Sequence, residues 1–207
     1  MSTSQMIEIL GRLRKQMNGE VSERMAAHGV EYALNYGVAI HSIREIARDY
    51  APDTKLARLL YSQQVRDLQI AACCIADPSD VAWADEAFWR GGVATGEMAE
   101  QLSGLLAKSA DVQYYVEGWL SSDDSNVRYC ALLTAAKSRS ESSARRVAEW
   151  VAAKGEISMS EAEIRVVATI LSNHYQESRV GEVIHQIKDS NEAIHKRISE
   201  ELYVFDE

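Results

Sequence analysis

Glu97 and Glu100 stand three residues apart in a stretch with helical patterning, so both carboxylates fall near one face of a helix. A carboxylate held there has the chemistry to stabilise a cationic sugar electrostatically as its base departs. The plainer reading is a solvated helix start, where acids favour the positive end of the dipole. Arg128 offers a planar fork that suits a phosphate. It also belongs to a recurring set with Arg44, Arg66 and Arg165, and in that role it would hold Asp123 or Asp124. Trp83, Trp89, Trp119 and Trp150, with Tyr114, Tyr115 and Tyr129, carry faces on which an exposed base could stack, or else fill the spaces between helices. Two basic clusters, Arg12-Arg14-Lys15 and Lys137-Arg139-Arg145-Arg146, suit a nucleic-acid backbone, an acidic partner or simply solvated helix ends.

Other chemistries find no residues to carry them. His28, His41, His174, His185 and His195 lack the spacing of a metal site, and so do Cys73, Cys74 and Cys130, so no metal or cofactor is expected. Gly91-Gly92 reads as a turn and not as a phosphate loop, and no Gly-x-Ser-x-Gly elbow occurs. Three cysteines without framework spacing are expected to be reduced thiols in packed helices, which points to the cytoplasm. Neither a signal peptide nor a membrane span is expected.

The elements that must position these residues are helices. The chain of 207 residues has 46% hydrophobic content but only two prolines and 11 glycines, too few turn residues for a fold of short strands. A first helix through Met6, Ile7, Leu10 and Leu13 is expected to end at Asn18-Gly19 as a C-cap, with a second helix from Val21 to His28. Asp53 is the expected N-cap of a helix from Thr54 to Tyr61. A β-branched residue followed by arginine recurs as Ile43-Arg44, Val65-Arg66, Val127-Arg128 and Ile164-Arg165, each opening an apolar helix. Arg66 and Arg128 are 62 residues apart, twice 31, and the midpoint falls on Glu97. Helix pairs at such a period stack as repeats, so the expected fold is all-α, a HEAT-like superhelix of about five or six helix pairs, as one domain over residues 1–207. The net charge of −9 works against non-specific nucleic-acid binding unless basic residues gather on one face.

One family carries this pattern. Tyr36-Gly37-Val38-Ala39-Ile40-His41-Ser42-Ile43-Arg44 is followed by Leu56-Ala57-Arg58-Leu59-Leu60-Tyr61, then by Val65-Arg66-Asp67-Leu68-Gln69-Ile70-Ala71-Ala72 and Ile75-Ala76-Asp77-Pro78. From Tyr36 to Lys137 the chain resembles the DNA alkylation-repair family, HEAT-like glycosylases that remove alkylated bases. The resemblance implies contact with double-stranded DNA. It puts the family's catalytic acid at Glu100, its tryptophan at Gly96 and its arginine at Tyr129. With such a partner, the candidate DNA-contacting residues are Arg128, Tyr129, Trp83, Trp89, Lys137, Arg145 and Arg146, chosen for their stacking faces and positive charge. Gly96 and Tyr129 depart from the family pattern, so damage recognition carries over more readily than base excision. The alternative is a non-catalytic scaffold that binds a protein partner through its concave face.

Overall fold

The computed structural model describes residues 2–154, 159–188 and 190–203, and among them it contains thirteen α-helices and no β-strand. The chain divides into two compact units, residues 1–111 and 112–207. The first holds α1 (Ser2–Arg14), α2 (Gly19–Ala27), α3 (Ile40–Arg48), α4 (Thr54–Tyr61), α5 (Arg66–Ile75), α6 (Glu86–Arg90) and α7 (Gly96–Leu106). The second holds α8 (Val112–Leu120), α9 (Ser125–Ser138), α10 (Glu141–Lys154), α11 (Glu161–Asn173), α12 (Ser178–Gln186) and α13 (Glu192–Tyr203).

Each unit is two helical layers deep. In the first, α3, α5 and α7 lie side by side, with α1 and α4 packed behind them. In the second, α9, α11 and α13 form one row and α8, α10 and α12 the other. The recurring arginines mark one row in each unit: Arg44 lies on α3, Arg66 on α5, Arg128 on α9 and Arg165 on α11, with Glu97 at the matching place on α7. The sequence period is therefore the spacing of successive helices in one layer. Apolar stripes follow from it, because Ile43, Ile46 and Ala47 on α3 and Leu56, Ala57 and Leu60 on α4 are fully or almost fully buried. Each large aliphatic side chain so buried contributes about 1.5–3 kcal/mol over leaving it in water.

Local capping agrees with most expectations. Asp53 accepts from Leu56 N at 2.9 Å and starts α4 as read. Ser160 and Glu163 form a reciprocal capping box on α11. Asn18 departs from its expected role. It does not end α1, which stops at Arg14; its side chain accepts from Val21 N and starts α2 instead. An asparagine suits either end of a helix, and the backbone around Asn18 is extended, the geometry of an N-cap. Gly37 adopts φ +68, and a Cβ there would run into the Asn18 carbonyl, so only glycine fits.

Candidate nucleic-acid interface

In the first unit the polar centre is built around Arg66. Arg66 opens α5 and is 3% exposed. Its Nε and Nη2 donate to Glu97 Oε2 at 2.8 Å and Oε1 at 2.6 Å, a two-pronged pair, while Nη1 reaches the Val38 carbonyl at 2.9 Å. The neighbouring Asp67 is fully buried and accepts from Tyr36 N at 2.7 Å and Val38 N at 3.0 Å. Tyr32 closes the set by donating its hydroxyl to Glu97 Oε2 at 2.6 Å. Burial pushes the Glu97 carboxyl up, but the hydrogen bonds from Arg66 and Tyr32 outweigh it and hold the group below its ordinary range. Glu97 is thus a structural carboxylate that ties α7 to α5 and to the segment before α3.

The second unit repeats the arrangement. Arg128 Nε donates to Glu163 Oε1 at 2.6 Å, and its Nη1 reaches the Ser122 carbonyl at 3.1 Å. Its acidic partner is therefore on the next helix of the row and not at Asp123 or Asp124. Asp124 is already engaged at the N-cap of α9, accepting from Asn126 N and Val127 N. The other two arginines of the set do not share the role. Arg44 is exposed and donates to Gln101 at 3.0 Å, and Arg165 sits a loose 3.9 Å from Glu161 on its own helix.

The remaining sequence-derived candidates scatter. Glu100 is exposed on α7 and Tyr129 half-buried on α9. Trp83 is half-buried in a 3-10 turn, where its backbone N–H donates to Asp111. Trp89 is 1% exposed, boxed by Tyr61 and Phe88 at ring separations of 5.0 and 5.1 Å, so its faces are committed to the core and offer nothing to a base. Trp119 is equally buried against Tyr115. Lys137 is exposed near the end of α9. Arg145 pairs with Glu177 at 2.9 Å, and Arg146 pairs with Glu117 at 2.5 Å and lies 3.5 Å from Glu149. Half of the second basic cluster, Arg145 and Arg146, is thus paired with acids from outside α10, Glu177 and Glu117. Sequence spacing could not reveal that, because the acids lie about thirty residues away.

A site that spacing did not single out lies on the arginine row of the first unit. Arg44 of α3, Cys74 of α5, and Gln101, Gly104 and Lys108 of and just beyond α7 line an open cleft of about 350 Å³. Among the described residues no carboxylate lines it. Burial pushes the Cys74 thiol up, against the pull of Arg44 and Lys108, which both act on it. Two cations thus line one cleft in a chain of net charge −9. Among the described residues no group of three or more His, Cys, Asp or Glu is arranged to hold a metal, and no helix is long and apolar enough to cross a membrane.

Residues 9–90 match the family model of the DNA alkylation repair enzymes. The chain resembles the DNA alkylation-repair family. The match takes in α3, α4 and α5 and stops short of Glu100 and Tyr129. A solved structure superposes with a TM-score of 0.73 at 18% identity, covering 94% of this chain and 92% of that one. That protein is described as belonging to a new family related to the HEAT-like repeat DNA glycosylases, with affinity for branched DNA structures. The fold is accordingly the HEAT-like repeat of the DNA-glycosylase relatives. A search of curated proteins finds no match.

Proposed function

We propose that the chain binds the phosphate backbone of DNA, branched DNA in particular, through the α3–α5–α7 face, and that it does not excise bases. The carrying observation is the cleft between Arg44 and Lys108, where two cations meet and no carboxylate lines the walls. Phosphate contacts need cations free of competing carboxylates, since each phosphate engaged must displace its counterions. Affinity for branched DNA in a protein of the same fold supports this choice of ligand.

Two features weigh against excision. Gly96 leaves open space where the family pattern has an aromatic ring. Glu100 faces solvent, where a carboxylate does little to stabilise a developing cation. The test pairs two measurements on the full chain: binding to duplex and junction DNA across salt concentrations, and base release from DNA carrying N-alkylated purines. Binding that weakens steeply with salt, without base release, is the expected result. Release of alkylated bases would overturn the non-catalytic part. The absence of salt-sensitive binding would overturn the DNA reading and leave the acidic chain as a protein-binding scaffold.

A further inference from the structure

We infer that the second unit carries a pocket for an unpaired nucleotide, formed where α9 and α11 end side by side. This deepens the DNA-binding reading and rests on it. Ala135, Ala136, Arg139, Thr169, Ile170, Asn173 and His174 enclose a cavity of about 500 Å³. That volume lies in the range of small-molecule sites, and the lining has their usual make-up, an apolar floor with a few convergent polar groups. Ala135, Ala136 and Ile170 form that floor, with Ala135 and Ile170 each 3% exposed. The Asn173 amide both donates and accepts, as the edge of a base requires.

Arg139 is the second, independent sign. It ends α9 in the left-handed conformation, φ 53 and ψ 27, a place where glycine or asparagine is the usual choice. A bulky side chain there is strained. Arg139 is exposed, and among the described residues no ion pair holds it. A cation kept at a strained turn on the rim of a neutral pocket is placed to meet the phosphate of a nucleotide whose base lies inside. One acid near it is Glu201 on α13, which accepts from the Thr169 hydroxyl at 3.2 Å and lies 3.9 Å from Arg197. Its charge favours a neutral base over a phosphate within the pocket and leaves the phosphate to Arg139. Tyr175, the residue after His174, is 48% exposed and supplies a ring at the same end of α11. Unpaired nucleotides are what a branch point offers and a closed duplex does not.

The test compares a three-way junction with unpaired nucleotides at its branch against a fully paired duplex, by fluorescence anisotropy of the full chain at low salt. A 2-aminopurine at the branch reports stacking directly. The wild-type chain is expected to prefer the junction about tenfold, the scale of one stacked base, and to quench the 2-aminopurine. Arg139→Gly and Asn173→Asp should bring the junction to within about twofold of the duplex. Arg139→Gly should melt no lower than wild type, because glycine takes the left-handed turn without strain. Arg139→Lys should retain most of the preference. Equal wild-type affinity for junction and duplex, or preference and quenching undiminished in both Arg139→Gly and Asn173→Asp, would overturn the pocket while leaving the DNA reading intact. A wild-type chain that binds neither DNA overturns both.

Discussion

Replacing Arg66 with alanine would leave Asp67, fully buried, and Glu97, mostly covered, facing one another without their shared cation. An uncompensated buried charge of this kind costs about 3–5 kcal/mol, so Arg66→Ala is expected to lose that much in urea denaturation. The pH dependence has a definite sign. Glu97 titrates lower in the folded chain than when unfolded, so its contribution is complete above the unfolded glutamate range, about 4.3, and fades as pH falls through its own lower value. Glu97→Gln should flatten the acid limb of the stability curve, measured by thermal melts at stepped pH. The recurrence of arginine was legible in the sequence, but its partners were not. Glu97 reads as a solvated acid, and Glu163 lies 35 residues beyond Arg128, a separation that only stacking of neighbouring repeats closes.

Helices and turns make predictions of their own. Gly104 lies within α7 with nothing near the place its Cβ would occupy. Gly104→Ala should therefore stabilise by about 0.5–1 kcal/mol through the unfolded chain and helix propensity. Gly37→Ala should act oppositely, losing at least about 1–3 kcal/mol, because its positive φ and the Asn18 carbonyl both exclude a side chain. Differential scanning calorimetry of the two variants should give melting shifts of opposite sign. Caps that combine a short polar side chain with a following apolar stripe, such as Asp53, could be read from sequence. Asn18 could not, since the same residue type and its following glycine serve an ending helix and a starting one.

For the whole molecule the governing quantity is charge distribution. A net charge of −9 repels DNA on average, so binding depends on where cations stand clear of carboxylates. Arg12, Arg145 and Arg146 are paired with acids, whereas Arg44 and Lys108 line a cleft without any. The double variant Arg44→Ala/Lys108→Ala is expected to lower the slope of log affinity against log salt by about 2, roughly one for each lost phosphate contact. Arg145→Ala should leave the slope unchanged, because Glu177 already neutralises it.

The amino-acid sequence by itself determined the helical class, the repeat period and the row of helices that carries the arginines. Those depend on local periodicity and on scarce turn residues, and both are written along the chain. Only the tertiary structure decided which charges cancel. Pairing acts through space over a few ångströms between residues about thirty positions apart, so it assigned Glu97 and Glu163 to structural bridges and buried Trp89 in the core. For the same reason it showed that Arg44 and Lys108, neither of which stands in a basic run, meet at a cleft whose described lining holds no carboxylate.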